Sequence, residues 1–257
     1  TRKTYRHTRF GNVREYKNYG DVAYTSDDFT ATITYSYNIP SNLLAMVNQI
    51  DVQDVSNNLL QRRTGSYNGV GRISSIGSFD GANTAYTDID YDSYGNISSI
   101  LFPKNVNNER LSYTYKYDPV VHTYPVSVTD YWGNSSSTVY DYKLGAPLIV
   151  IDMTGNRMHY SYYADGKLNT VTGPNEVLAG IPFTIKCEYW DEAGGSAATR
   201  WARTRHYDPI NANNEFVTVN FSDGLGRSIQ LKQKATVEGV DLMVVSGRTD
   251  YDAYGRA

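Results

Sequence analysis

The stretch DIDYDSYGNIS, at residues 88–98, contains the short phrase from which the fold can be predicted. The second half of the phrase has the form Asp-x-x-Gly followed by Asn or Arg, and that form recurs at five places. They are DSYGN at 92–96, DYWGN at 130–134, DMTGN at 152–156, DGLGR at 223–227 and DAYGR at 252–256. A phrase that returns this often in 257 residues indicates a tandem repeat.

The phrase has the chemistry of a tight turn. Asp is favoured at the first position of a type I turn, where its carboxylate accepts a backbone N–H, and Gly is favoured at the fourth. A type I turn followed by a left-handed Gly closes a three-residue hairpin with a bulge. We therefore predict that these ten residues are structural turn residues: Asp92, Gly95, Asp130, Gly133, Asp152, Gly155, Asp223, Gly226, Asp252 and Gly255.

Tyrosines alternate with other residues in the stretches before the turns. The chain has 24 Tyr against 7 Phe, and a spacing of two places side chains on one face of a strand. Stacked strands of this kind predict ladders of paired Tyr side chains, whose hydroxyls bond to neighbouring Asp, Asn and Thr side chains. The alternating runs contain Tyr35 and Tyr37; Tyr113, Tyr115 and Tyr117; Tyr140 and Tyr142; and Tyr160 and Tyr162.

The spacing of the glycines indicates the length of the predicted hairpins. Between residues 128 and 174, Gly falls at 133, 145, 155 and 166, so that each step fits one strand plus one turn. This spacing predicts an all-β fold, a long antiparallel meander of hairpin repeats that forms a twisted and curved sheet. Residues 41–54 predict a short turn and a strand, because Ile50 and Val52 alternate with polar residues.

Longer connections interrupt the period, but none has the composition of an interdomain linker. Gly, Asn and Pro mark them at 102–110, 173–182 and 191–200. We predict one repeat region over residues 1–257, with divergent repeats in 1–89 and clearer repeats in 90–257. Both ends of the chain lie within the pattern, so we expect it to be an excerpt from a longer protein.

Charge and composition argue against several classes of partner. The net charge is −3 and the basic clusters are short, which is not the pattern of a nucleic-acid-binding surface. No apolar run reaches 18 residues, so no membrane span is expected. The single cysteine, Cys187, cannot form an internal disulfide and leaves the cellular compartment open.

Metal, cofactor and catalytic sites are not expected from the sequence. Asp88, Asp90 and Asp92 share one face of a predicted strand, and a calcium site is one interpretation of them. The spacing does not fit an EF-hand loop, and we favour a solvated edge that discourages strand addition. The four His residues are scattered, and no nucleophile-elbow motif is present.

The phrase Tyr-Asp-x-x-Gly-Arg is the hallmark of YD-repeat proteins, also called rearrangement-hotspot (RHS) proteins. YDSYGNI at 91–97, YDAYGRA at 251–257 and YYADGKL at 162–168 resemble such units. HTYPVSVTDYWGN at 122–134 and VNFSDGLGRSIQLKQKA at 219–235 resemble the bacterial branch that contains the B and C components of insecticidal toxin complexes. The resemblance touches most of the chain and is strongest from residue 90 onward.

The resemblance implies a structural role. In that family the repeats form a long antiparallel sheet that spirals into a hollow shell around a variable C-terminal polypeptide, often a toxin. It implies that this chain is a non-catalytic wall segment of a secreted or cell-surface bacterial protein. The expected partners are the enclosed polypeptide and neighbouring shell repeats or a neighbouring subunit. No family residue is carried over as catalytic.

Two further expectations follow from the physics of such a strip. The more regular Tyr face is expected to line the interior, where it can contact an unfolded guest. Exposed edge strands predict an edge-to-edge homodimer.

Another interpretation is a surface module that binds carbohydrate or protein. Exposed aromatic rings stack on sugars, and Trp132, Trp190 and Trp201 are the candidate ligand contacts. An enzyme would need convergent acids or a nucleophile with its base, and the sequence offers neither clearly.

Overall fold

The structure is a computed structural model that describes residues 2–21, 23–79, 81–190, 200–211 and 214–257. Nineteen β-strands and one short helix account for its regular elements. The chain divides into two compact units, Thr1–Ser135 and Ser136–Ala257. The predicted change of repeat quality at residue 90 is not tested by this division and stays a prediction.

The first unit is an antiparallel meander of ten strands, in which each strand pairs with the next along the chain. The strands are β1 (Lys3–His7), β2 (Val13–Asn18), β3 (Phe29–Asn38), β4 (Leu43–Asp54), β5 (Leu59–Tyr67), β6 (Ile73–Phe79), β7 (Thr84–Tyr91), β8 (Ile97–Lys104), β9 (Arg110–Tyr117) and β10 (Pro125–Asp130).

The second unit continues the same pattern with nine strands, again paired in chain order. They are β11 (Ser135–Asp141), β12 (Ala146–Ile151), β13 (Arg157–Tyr162), β14 (Leu168–Thr172), β15 (Ile185–Trp190), β16 (Arg200–Tyr207), β17 (Glu215–Ser222), β18 (Ser228–Val237) and β19 (Val240–Val245). The prediction of an all-β antiparallel meander is confirmed.

Two predicted connections differ in detail from the structure. Strand β8 extends through Lys104, so the loop expected at 102–110 is only a short turn. The connection at 173–182 contains the helix α1 (Pro174–Ala179), which begins at Pro174 and ends at the left-handed Gly180. Residues 191–199 of the third predicted connection lie outside the described residues. The strand predicted within residues 41–54 is confirmed as β4.

In the first unit, the two faces of the sheet differ in chemistry. Residues directly opposite each other in neighbouring strands project from the same face. One cross-strand row contains Tyr5, Tyr16, Ala31 and Val52, whereas the adjacent row, on the opposite face, contains charged and hydroxyl residues. That polar row consists of Arg6, Glu15, Thr32, Asp51 and Arg62.

The second unit has the same division between its faces. Tyr160, Val171, Ile185 and Phe216 belong to one face. The opposite face contains ion pairs between neighbouring strands, in which Glu188 contacts Arg203 and Arg205, and Arg205 contacts Glu215 at 2.5 Å. We call the face with the tyrosines the tyrosine face, in each unit separately.

Burial is shallow throughout the described residues. Ala31 is the only hydrophobic residue there that is buried, and Asp118, Thr172 and Asp208 are the only buried polar ones. The most deeply buried side chain is therefore a carboxylate. Lateral pairing of strands and polar bonding within turns, rather than a hydrophobic core, account for the order of the sheet.

The interpretation of Asp88, Asp90 and Asp92 as a solvated sheet edge is wrong. Strand β7 is an inner strand that pairs with β6 and β8. Asp88 accepts hydrogen bonds from Ser75 and from Arg110, both at 2.6 Å, and Asp92 begins a turn.

Candidate functional site

Ten five-residue turns in the described residues share one backbone conformation. In each, the first N–H donates to the fifth carbonyl, and the fourth N–H donates to the first carbonyl. The five predicted turn glycines occupy the fourth position with φ between 79° and 95°. Asn57 and Asn108 occupy the same position in two further turns, with φ of 64° and 63°. Asn can replace Gly there because it tolerates the left-handed region better than other residues.

The Asp at the first position organises the turn through both of its carboxylate oxygens. In the turn at 130–134, Oδ1 of Asp130 accepts the N–H groups of Trp132 and Asn134, and Oδ2 accepts Nδ2 of Asn134 at 2.9 Å. Arg takes the place of Asn in the turn at 252–256, where Nε of Arg256 donates to Asp252 at 2.7 Å. These bonds explain why Asn or Arg follows the Gly.

The same bonds favour the ionised carboxylate. The side-chain hydrogen bond from Asn134 is the main cause that lowers the pKa of Asp130 below its ordinary value. In the turn at 152–156, side-chain bonds from Thr154 and then Asn156 lower the pKa of Asp152 to about 2. The turn carboxylates are therefore charged at neutral pH and hold their N–H donors by charge-assisted bonds.

Asp118 is a larger version of this arrangement that the repeat pattern did not predict. Its carboxylate accepts five backbone N–H groups, from residues 120–124, and its side chain has no exposed surface. Burial alone would raise the pKa of Asp118, but the N–H bonds outweigh burial and lower the pKa well below its ordinary value.

Strand order separates the turns into two classes. Within each unit, the turns that follow odd-numbered strands, which we call odd turns, lie at one end of the strands. The even turns of that unit lie at the other end, because neighbouring strands run in opposite directions. The five-residue odd turns are at 8–12, 68–72, 92–96, 163–167, 223–227 and 252–256. The five-residue even turns are at 54–58, 105–109, 130–134 and 152–156.

Six tyrosines connect consecutive odd turns, and we call them the latch tyrosines. Each hydroxyl donates to a backbone carbonyl near the start of the preceding strand, at 2.7–3.0 Å. Tyr91, for example, directly precedes one odd turn and donates to Ile73, which directly follows the previous odd turn. The pairs are Tyr35 to Val13, Tyr67 to Val47, Tyr91 to Ile73, Tyr117 to Ile97, Tyr162 to Pro147 and Tyr251 to Ser228.

The hydroxyl partners of these tyrosines differ from those predicted. Asp, Asn and Thr side chains were expected as partners, whereas the latch tyrosines bond to main-chain carbonyls. Stacking between tyrosines occurs at Tyr35 and Tyr37, whose ring centroids are 6.2 Å apart. Burial is the first cause that raises the pKa of Tyr117 above its ordinary value, so its hydroxyl stays protonated as a donor.

The Arg at the end of an odd turn makes a second connection to the next odd turn. The guanidinium of Arg227 lies 4.1 Å from the ring centre of Tyr251, and a Cβ at Gly255 would lie 2.9 Å from Nη1 of the same Arg. Arg72 stands in the same relation to Tyr91 and would overlap a Cβ at Gly95. A side chain at either of these odd-turn glycines would therefore have to displace the Arg of the preceding turn, in addition to adopting a positive φ.

The four five-residue even turns lack these connections. The residues before them are Gln53, Lys104, Thr129 and Ile151, and none is a tyrosine. A Cβ at Gly133 or Gly155 would meet no atom within 4 Å. Even-turn glycines are required only by their own backbone conformation.

The candidate tryptophans lie at two separate places. Trp132 is 69% exposed at the tip of an even turn, where its ring meets Tyr131 edge-on. Trp190 and Trp201 face each other across β15 and β16, with ring planes 7° apart and centroids 6.3 Å apart. Trp190 is half-exposed, and Arg203 flanks Trp201 at 5.9 Å. The structure brings two of the three tryptophans together and leaves Trp132 apart from them.

The described residues contain neither a metal-ion cluster nor a membrane-spanning helix. No group of three or more His, Cys, Asp or Glu there is arranged to hold a metal ion. Within the same residues, no helix is long and apolar enough to cross a membrane.

Comparison by sequence identifies no relative, whereas comparison by structure does. No family model matches the chain, and no curated protein matches it. The crystal structure of TcdB2-TccC3-Cdc42 is similar, with a TM-score of 0.65 and 12% identity over 96% of this chain. The crystal structure of TcdB2-TccC3 without its hypervariable C-terminal region has a TM-score of 0.65 and 13% identity.

This chain spans about a fifth of the length of the chains it matches, 22% and 21% respectively. At such low identity the similarity extends to the fold alone. It confirms the fold that the resemblance to YD-repeat shells implied.

Proposed function

We propose that this chain, which has the fold of those TcdB2-TccC3 chains, is a length of shell wall that encloses a polypeptide and helps to deliver it. The observation that carries the proposal is a repeating sheet with two chemically different faces and almost no core of its own. Such a sheet is stable through lateral repetition and leaves both faces free. A wall needs these properties, and we propose that it works by containment, without catalysis and without a cofactor.

The enclosed partner in this proposal is an unfolded or partly folded polypeptide at the tyrosine face. Unfolded chains expose apolar groups, and tyrosine rings contact apolar groups without a fixed sequence code. The charged face, with its ion pairs between strands, suits contact with water. We also propose neighbouring repeats or a subunit as lateral partners, and a secreted or cell-surface location in a bacterium.

Electron microscopy of the protein at its native length tests the proposal. A closed hollow particle with internal density is expected, and a solid or open particle would refute it. Single cysteines in a Cys187→Ser background then test the assignment of faces: Ile33→Cys on the tyrosine face and Thr32→Cys on the polar face. A maleimide polymer too large to enter a closed particle should label Thr32→Cys and spare Ile33→Cys. The reverse pattern would contradict the assignment.

A dimer through the open edge of β19 is a further proposal. All six residues of β19 are exposed, and only Asp241 among them is charged. An apolar, unprotected edge strand is a site for strand addition. Leu242→Lys adds a charge there and is expected to abolish edge pairing, which analytical ultracentrifugation measures.

The second candidate function is a binding module for carbohydrate. The parallel Trp190 and Trp201 rings favour it, because flat sugar faces stack on such surfaces. Immobilised saccharides should retain the chain, and Trp190→Ala should abolish retention. Trp132→Ala is the matched control, since it removes an exposed indole and leaves the pair intact. Equal loss in both variants, or no retention at all, would count against this function.

A further inference from the structure

The pair of Trp190 and Trp201 belongs to a longer row of rings. Trp201 lies opposite Trp190 in strand β15 and opposite Phe221 in strand β17, so the three rings occupy three consecutive strands of the second unit. Residues directly opposite each other project from the same face of a sheet. We call these three residues the aromatic row. Trp190 is 49% exposed, and neither of the other two is buried.

The aromatic row lies on the charged face of the second unit. Side chains two residues apart in a strand share a face. Trp190 is two residues from Glu188, and Trp201 is two residues from Arg203. Glu188 and Arg203 are ion-paired with each other across the same two strands. In the proposed wall this face contacts water, so a ligand in solution can reach the row.

Two cations flank the aromatic row. Nζ of Lys232, in strand β18, lies 4.8 Å from the centre of the Phe221 ring, and the Arg203 guanidinium lies 5.9 Å from the centre of the Trp201 ring. Among the described residues, Arg203 donates to Glu188 only through Nε, and Lys232 makes no ion pair. The terminal nitrogens of Arg203 and the ammonium of Lys232 are therefore donors that a ligand on the row can use.

Aromatic rings with cations beside them suit a saccharide chain that carries acidic groups. At ordinary strand spacing the row is about 10 Å long, which is enough for more than one sugar ring. Flat sugar faces stack on aromatic rings, whereas carboxylate and sulfate groups accept charge-assisted hydrogen bonds from Lys and Arg. The row and its flanking cations therefore provide a contact for each part of an acidic saccharide.

The charges around the row favour a saccharide over a nucleic acid. Single-stranded nucleic acid also stacks on aromatic rings, but it binds along a positively charged groove that follows its backbone. Glu188 and Glu215 lie on the same face as the row and pair with two of its arginines. The positive charge is thus confined to a few positions beside the rings, which matches the spaced acidic groups of a saccharide.

We propose that the aromatic row is a binding site for an acidic saccharide chain. The sugar rings stack on Trp190, Trp201 and Phe221, and the carboxylate or sulfate groups pair with Lys232 and Arg203. This inference rests on the second candidate function, the binding of carbohydrate, and names the class of carbohydrate. It is independent of the wall function.

Isothermal titration calorimetry of the full chain with four oligomers tests the site. The probes are hyaluronan, its neutral carboxyl-reduced form, chondroitin sulfate and oligothymidylate. Both acidic saccharides should bind about tenfold more tightly than the neutral one, because a hydrogen bond to a charged group contributes roughly this much. The difference should decrease as salt is added. The ratio of the two acidic saccharides shows whether carboxylate or sulfate is preferred.

Variants then assign the binding to the row. Lys232→Gln should weaken binding of the acidic saccharides about tenfold and leave binding of the neutral one unchanged, whereas Trp190→Ala and Phe221→Leu should weaken binding of all three. Lys116→Gln is the matched control, since it removes the same charge from a strand of the first unit. Circular dichroism verifies that each variant is folded.

Each contrary outcome has its own meaning. Equal affinity for acidic and neutral saccharides would overturn the acidic preference and leave the carbohydrate function standing. Equal losses in Lys232→Gln and Lys116→Gln would show attraction to the overall charge and overturn the site. Tighter binding of oligothymidylate than of either acidic saccharide would overturn it in favour of nucleic acid. Binding of no probe would refute both the site and the carbohydrate function, and would leave the wall to be tested by microscopy.

Discussion

The odd and even turns have the same backbone hydrogen bonds but different relations to their neighbours. An even turn such as 130–134 is complete in itself, since its Asp, Gly and Asn bond only within the turn. At an odd turn such as 252–256, the Arg227 guanidinium of the previous odd turn lies over the Tyr251 ring, and the Tyr251 hydroxyl donates to the Ser228 carbonyl. One sequence phrase therefore encodes two things, a turn and a link between turns, and only the odd turns use both.

Acidification should have the largest effect, because it acts on the feature that the two classes share. The folded-state pKa of the turn Asp residues is lowered, to about 2 for Asp152, against an unfolded value of about 3.9. Asp152 therefore loses its stabilising contribution as the pH falls from about 4 to 2, and the other turn Asp residues lose theirs as the pH falls below the unfolded value. Hydrogen exchange across this window should show turns that begin with Asp opening at either end of the strands.

The turns at 68–72 and 105–109 begin with Asn and provide the internal control. They should retain exchange protection to a lower pH than the Asp turns. Simultaneous loss in Asn and Asp turns would mean that the carboxylates are not the cause.

Asp118→Ala should cause the largest loss of thermal stability among single turn substitutions. It leaves five backbone N–H groups without their acceptor in a site closed to water. Asp130→Ala, which removes a carboxylate with fewer N–H donors at an exposed even turn, is the matched comparison. Equal melting temperatures for the two variants would contradict the ranking.

Gly95→Ala, in an odd turn, and Gly133→Ala, in an even turn, should differ in their effect on the free energy of unfolding. Both residues have a positive φ, which costs Ala about 1 kcal/mol. Only Gly95 also lies beneath the Arg72 guanidinium, which an added Cβ would displace from the Tyr91 ring, so its substitution should cost up to about 1 kcal/mol more than that of Gly133 in urea unfolding. Adding Arg72→Ala should reduce the cost of Gly95→Ala towards that of Gly133→Ala. If Arg72→Ala leaves the cost of Gly95→Ala unchanged, contact with Arg72 is not the cause of that cost.

Tyr91→Phe should have the smallest effect, about 1 kcal/mol, because it deletes one hydrogen bond to Ile73 and leaves the ring in place. Tyr86→Phe removes a hydroxyl from a half-exposed ring, and its unfolding free energy should change by less than about 0.5 kcal/mol. The loss at Tyr91 should be local, with faster hydrogen exchange in the turns at 68–72 and 92–96. A uniform change across the sheet would indicate a different role.

The hairpin repeat and its turns could be predicted from the sequence because turn chemistry is local. Asp, Gly and Asn at fixed offsets describe a conformation that five residues determine by themselves. The latch tyrosines could not be predicted, because their acceptors are main-chain carbonyls 15 to 23 residues away, and every residue type supplies that group. Nothing in the sequence around Ile73 therefore indicates that its carbonyl accepts a hydrogen bond from Tyr91.

Two other features were missed for different reasons. The helix α1 had signals that could have been recognised, since Pro174 opens it and Gly180 closes it. At six residues it is too short for a periodic apolar pattern. The position of Gly95 beneath Arg72 depends on how consecutive odd turns lie side by side, which is known only once strand pairing is known.

The alternation of the two turn classes limits how such a chain can change in length. Inserting or deleting two consecutive strands keeps every later turn in its class, so that each latch still finds the turn before it. Inserting one strand would turn every later odd turn of the unit into an even turn. Tyr251 would then lie at the opposite end of the strands from the odd turn to which it bonds. We therefore expect such a chain to lengthen by whole hairpins, because each latch tyrosine hydroxyl bonds beside the odd turn that lies two strands before it.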